Sequence, residues 1–171
     1  MAWSLAESWG RFVPGANVTV KFVPPIAVVQ SKLIAAWLKA RAKMTVVMDY
    51  ALNSIELEMA ESMAIRPKSG RIYKRPLKTY KASAPGEAPA VYSGTLLEDL
   101  QQETTQAPWG IKGEVGVGMN AIYAKLYLEK GSPGGKIKPR PFVKPAGDKI
   151  IPLFKAQMAK VTAQMMRDMS R

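Results

Sequence analysis

The chain has no cysteine and no histidine among its 171 residues. The first absence excludes disulfides and thiolate nucleophiles, and the second removes the imidazole base and the commonest zinc and copper ligand. What remains for chemistry is a scatter of carboxylates, lysines, tyrosines and serines, so the expectation is no enzyme, no cofactor and no metal. Long apolar runs are missing too. Hydrophobic residues make up 47% at a mean hydropathy of −0.09, and no stretch approaches the roughly 20 residues of a membrane span. The opening, Met1 to Gly10, carries Glu7 and no basic residue, which does not match a secretory signal. The length suits one soluble domain.

Acidic residues are the other scarcity. Against 25 Lys and Arg stand only 13 Asp and Glu, a formal charge of +12. Such a surplus favours an acidic partner, either nucleic acid or an acidic protein surface, and does not choose between them.

Turn residues and aromatics alternate through residues 1–30, with a short strand-like run at 17–23, which reads as an N-terminal arm packing on its own core or on a neighbouring subunit. From Ser31 apolar side chains recur at Ile34, Leu38, Ala42, Thr45, Met48, Leu52, Ile55, Met59 and Met63, one face of a long helix ending near Arg66, before Pro67. About 35 residues give a rod of roughly 50 Å, long for a domain of this size. Its bases, Lys32, Lys39, Arg41 and Lys43, precede its acids, Asp49, Glu56, Glu58 and Glu61, against the helix dipole. Either the halves pair with opposite halves of adjacent subunits or they form a solvated face. Glu56, Glu58 and Glu61 do not share one side of the helix and read as surface charges.

Residues 67–92 read as an extended basic loop with room for a hairpin around Ile72 to Tyr80. Lys68, Arg71, Lys74, Arg75, Lys78 and Lys81, with Lys136 and Lys138 of a second basic segment spanning 136–149, are the candidate contacts to DNA or a protein partner. Tyr73 and Tyr80 interleave with the first set, as in single-strand binders, without a base-reading motif. Further on, Ser93 is expected to cap a helix over Thr95–Gln102, Gly113–Met119 to form a strand, and Asn120 to open a short helix with Ile122, Tyr123, Leu126 and Tyr127 on one side. The glycines of Gly113–Gly118 suit a tightly packed strand better than a phosphate loop. A last helix starts near Pro145 with Phe154, Met158, Val161, Met165 and Met169 on one face, and Pro152 either begins or kinks it. The methionines suit adaptable core filling rather than a ligand site. Together these predict an α+β fold, with a long N-terminal-half helix and a C-terminal helix on a small, mostly antiparallel β-sheet. The domain spans 31–171 after the arm.

The order of short motifs carries a resemblance. Pro67-Lys-Ser-Gly-Arg-Ile-Tyr73, Ala84-Pro-Gly-Glu-Ala-Pro-Ala90 and Tyr92-Ser-Gly-Thr-Leu96 are followed by Val117-Gly-Met-Asn-Ala-Ile-Tyr-Ala124, Tyr127-Leu-Glu-Lys-Gly131 and Pro139-Arg-Pro-Phe-Val-Lys-Pro-Ala146. In that order they resemble the bacteriophage head-to-tail joining proteins, also called neck or tail-completion proteins, of long-tailed phages. The resemblance implies an α+β subunit that forms a ring of six or twelve copies around the DNA exit channel, beside other connector and tail proteins. It implies a place in the virion, assembly in the bacterial host cytoplasm, possible non-specific contact with genomic DNA, no membrane and no catalysis. Tyr123, Arg140, Pro141 and Phe142 are the expected structural anchors, the last three as a rigid turn with an aromatic foot. The rival expectations are a nucleic-acid-binding module, a tail-terminator ring and an assembly chaperone.

Overall fold

The computed structural model describes residues 17–22, 31–76, 78–108, 110–121 and 123–169. The expected long helix, α1, spans Ser31–Ala64. Its inward stripe is Ala40, Met44, Met48, Leu52, Ile55, Met59 and Met63, each at most 4% exposed. These residues repeat at three or four positions, as a helix buried along one side requires. The second half of the expected face is therefore right and the first half is not, since Ile34 and Leu38 are 47% and 56% exposed. Their place is taken by Trp37 and Ala40. Between Leu33 and Ala40 apolar residues lie all round the helix, so periodicity singles out no face there, and tertiary packing chooses.

The second long helix, α3, spans Val143–Met169 and packs along α1, burying Ala146, Phe154, Met158 and Met165. Pro152 neither starts nor ends it. Its ring is exposed, on the side away from the core, where water can serve the carbonyl that proline leaves without a donor. Most methionines of the two helices lie in the shared core, as a flexible thioether suits an irregular gap.

The two helices cover one face of an antiparallel sheet of order β1-β5-β4, with β1 at Asn17–Phe22, β4 at Leu100–Ala107 and β5 at Gly110–Val117. The expected strand run near 17–23 thus pairs with β5 of its own chain; the remainder of the 1–30 arm lies outside the described residues. Central β5 turns Ile111, Val115 and Val117 to the helices. Between them Gly113 lets α1 approach so closely that a Cβ there would lie 2.6 Å from Met48 Sδ, the tight packing its glycines suggested.

The helix expected over Thr95–Gln102 is a single turn, α2, at Thr95–Glu98, and the chain then enters β4. Gly94, at φ 91°, holds the cap position without a side-chain bond, and Ser93, one residue earlier, only accepts from Thr95 N at 3.4 Å. β4 is amphipathic in a polar sense, which hydrophobic alternation cannot reveal. Gln102, Thr104 and Gln106 donate to Asn53 (2.6 Å), Asp49 (2.6 Å) and Thr45 (3.2 Å), and Arg41 donates to the Ala107 carbonyl at 3.2 Å. The four α1 positions are spaced by four, so one helix side meets alternate strand residues.

After β5, Ala124–Leu128 forms a π-helical turn. Ala121, just before it, and Ala124, at its start, are both 0% exposed, so the backbone approaches the core at methyl distance. Tyr123, expected as an anchor, is 49% exposed and lies on the outer side with Leu126 and Tyr127. Ile122 lies outside the described residues.

Candidate functional site

The basic segment after α1 is less extended than expected. Its middle is a ribbon of β2 (Ile72–Arg75) and β3 (Lys78–Lys81), in register Ile72↔Lys81, Tyr73↔Tyr80, Lys74↔Thr79 and Arg75↔Lys78. Two bonds at its foot, Gly70 N to Ala82 O and Ala82 N to Arg71 O, extend the ladder. An isolated two-stranded ribbon is marginal in water, and here aromatic pairing supports it. Tyr73 stacks on Tyr80 at 5.5 Å, and Tyr80 meets Tyr92 at 4.9 Å, tilted by 48°. Arg71 lies 5.7 Å from the Tyr73 ring and Lys78 5.9 Å from that of Tyr92, whose carbonyl it also bonds at 3.2 Å. Lys74 and Lys81 are exposed, and no acid occurs from Pro67 to Gly86.

The second basic segment leaves the same base. Gly131, at φ 84°, turns the chain, and Ser132 closes a small loop by donating to Ile137 O and accepting from Ile137 N, both at 3.0 Å. Lys136 and Lys138 are exposed on that loop. Pro139 O then accepts from Gly86 N at 2.8 Å, and the Arg140 guanidinium donates to Ser83 O at 3.3 Å. Pro141 lines the base and Phe142, 1% exposed, enters the core, as the rigid turn with an aromatic foot requires. The 136–149 segment is not all loop, however: Lys144 and Lys149 belong to α3, which begins at Val143.

Three carboxylates, none of them singled out as a site residue, organise this base. Glu87 accepts from Ser69 Oγ, from Ser69 N at 3.0 Å and from Ala84 N at 2.9 Å. These bonds, led by that from the Ser69 hydroxyl, hold its carboxyl down at about 2. Glu129 accepts from the amides of Phe142, Val143 and Lys144 at 3.0, 3.3 and 2.9 Å, supplying the first turn of α3 with an acceptor and a negative charge at its positive end. Glu58, expected as a surface charge, is 8% exposed and binds Arg66 and Lys149. The bond from Lys149 leads in holding its carboxyl below the usual range, against the opposing effect of burial. The reason is that α1 turns Glu58 under the start of α3, which sequence spacing within one helix does not show. Glu87 and Glu129 each stand within two residues of a glycine in an acid-poor chain, inside the quoted motif blocks, which was the available signal.

Lys68 also departs from expectation. It is partly buried, donates to Ser62 O at 2.5 Å, and burial lowers its ammonium below the ordinary value. It is therefore a fastening of the base and not a free phosphate contact. An open cavity of about 230 Å³ lies there between Glu58, Arg66, Lys68, Glu87 and Phe142, and its cations already have partners. Among the described residues no cluster of His, Cys, Asp or Glu can hold a metal, and no helix is long and apolar enough to cross a membrane. The arrangement is a ribbon with a tyrosine stack and exposed cations, beside a second cationic loop on the same support.

No family model, curated protein or solved structure matches this chain.

Proposed function

We propose that this chain is a structural protein of a tailed-bacteriophage particle, forming a ring of six or twelve copies at the joint between head and tail. One observation carries the reading. Four of the six motif blocks that resemble the joining proteins, scattered from Pro67 to Ala146, meet in one hydrogen-bonded hub: Ser69 and Ala84 on Glu87, Gly86 on Pro139, Arg140 on Ser83, and Glu129 on the start of α3. A motif set with a common mechanical purpose suits a subunit that must hold its shape in an assembly. The exposed cations that this hub supports then face either DNA in the exit channel or acidic surfaces of neighbouring connector and tail proteins. The role needs no catalysis and no cofactor.

Cryo-electron microscopy of the intact particle tests this directly. Ring density fitting α1, α3 and the hairpin between head and tail tube is the expected result; a particle without this chain sinks the reading and leaves an assembly chaperone, while density belonging to the end of the tail tube itself makes it a tail terminator. The Tyr73–Tyr80–Tyr92 stack among cations favours one second reading, a nucleic-acid-binding module. Retention of DNA by the free protein at about 0.15 M salt would favour that module.

A further inference from the structure

The outer side of α1, away from the core stripe, is apolar where a solvated helix would be polar. Val46, Tyr50 and Leu57 are 67%, 74% and 60% exposed. At about 100° per residue they share an arc of roughly 60° with Lys39 and Lys43 towards one end and Glu61 towards the other. We propose that this stripe binds the same stripe of a second copy, antiparallel and centred on Tyr50.

Charge selects that occupant and that direction. Lys39 and Glu61 each lie eleven residues from Tyr50, so an antiparallel pair sets every Lys39 against a Glu61 and brings Tyr50 onto its own counterpart. A parallel pair in register sets like charges together along the whole stripe, which opposes association. Within one chain the acids sit at the wrong end for the helix dipole, and the antiparallel partner's basic half, at the positive end of its own dipole, offsets this. Lys39 also reaches Asp168 at 3.6 Å, but its side chain is 65% exposed and open to a second partner. The chain's own residues 1–16 are a poorer occupant, because they carry one acid, Glu7, and one base, Arg11, and cannot complement both ends.

The strip from Lys39 to Glu61 is about 33 Å long and about 10 Å wide, so the pair covers about 700 Å² over both copies. Stable complexes bury roughly 1,200 Å² or more, which makes this a weak and reversible dimer. A two-fold pair closes on itself and so is not the ring; it is the state of the free protein, sheltering the apolar stripe until other contacts replace it. It stands on α1 alone and survives or fails independently of the particle density.

The absence of cysteine makes the test clean. In the full-length chain, Tyr50→Cys is expected to form a disulfide-linked dimer under mild oxidation at least tenfold faster than Leu57→Cys, whose counterpart in the pair is Lys43. An equimolar mixture of Lys43→Cys and Leu57→Cys is expected to cross-link into the mixed dimer. All three sites are exposed, so the fold is preserved, and circular dichroism verifies it. In sedimentation, Lys39→Glu weakens the dimer and Lys39→Glu/Glu61→Lys restores it. The proposal is overturned if Tyr50→Cys cross-links no faster than Leu57→Cys. Self-association that appears only after residues 1–16 are removed also overturns it, since that segment would then be the occupant.

Discussion

Around the hub every carboxylate is engaged: Glu87 and Glu129 take three hydrogen bonds each, and Glu58 takes two cations. A few residues away the hairpin and its foot carry Arg71, Lys74, Lys78 and Lys81, all exposed, with no acid between Pro67 and Gly86 to relieve them. Like charges gathered on one ribbon repel one another. The three hub carboxylates thus hold shape, while the exposed Lys74 and Lys81 of the hairpin have no acid in their own segment. A surface optimised for the free subunit would interleave the two signs, so the imbalance fits the proposal that the hairpin is a contact surface.

If the hub is the mechanical part, removing its foot has the largest effect. Phe142→Ala is expected to cost about 3–5 kcal/mol, the range for a fully buried aromatic. In a domain of this size that lowers Tm by roughly 10 °C, measured by thermal denaturation. Glu129→Ala strips three amides of their acceptor and is expected to cost about 1–2 kcal/mol. Its signature is local, with faster hydrogen exchange at Phe142 to Lys144 before any global loss. A wild-type rate at those amides would break the contrast, making the cap incidental.

Acid sharpens the comparison more gently. The Glu87 carboxyl is depressed to about 2 in the folded chain, against 4.5 for a free glutamate. The native state therefore binds fewer protons than the unfolded one in that window, so the contribution of Glu87 is present above about pH 4.5 and fades as pH falls towards 2. Exchange protection at Ser69 N and Ala84 N is expected to fall over that range in the native chain. In Glu87→Gln it is expected to be already lower at neutral pH and to vary less with acid.

Much of the framework was legible in the sequence, and the exceptions share a physical cause. The second half of α1, strand β5, α3 and the Arg140–Phe142 turn all bury apolar side chains at the period of their element, which a single sequence displays. β4 escaped because its helix-facing residues Gln102, Thr104 and Gln106 meet α1 by hydrogen bonds and stay partly or largely exposed, so no apolar alternation marks the strand. Glu58, Lys68 and Tyr123 were misplaced for the reverse reason: their types suggested two surfaces and an anchor, and only the approach of other elements decided that the first two turn in and the third turns out. Among the expected contacts, Arg71, Lys74, Lys78, Lys81, Lys136 and Lys138 are exposed.

The smallest expected change in stability falls on those cations, and it carries the most functional weight. Lys74→Ala/Lys81→Ala removes two exposed charges that no hub bond uses, so the folded state should shift by no more than about 0.5 kcal/mol per site, and relief of like-charge repulsion favours a gain. Contact with duplex DNA responds differently, because each phosphate neutralised contributes about 0.9 to the slope of log affinity against log salt. If both lysines touch phosphates in the assembled joint, the slope for the double variant falls by about 1.8. Affinity for DNA then weakens while Tm holds or rises. An unchanged slope with impaired head-to-tail joining would instead assign the same cations to an acidic protein neighbour, since salt-linked release from DNA would be untouched while docking failed. Either result keeps the division between hub and hairpin; a large loss of stability would end it, because the ribbon's charges would then belong to the fold.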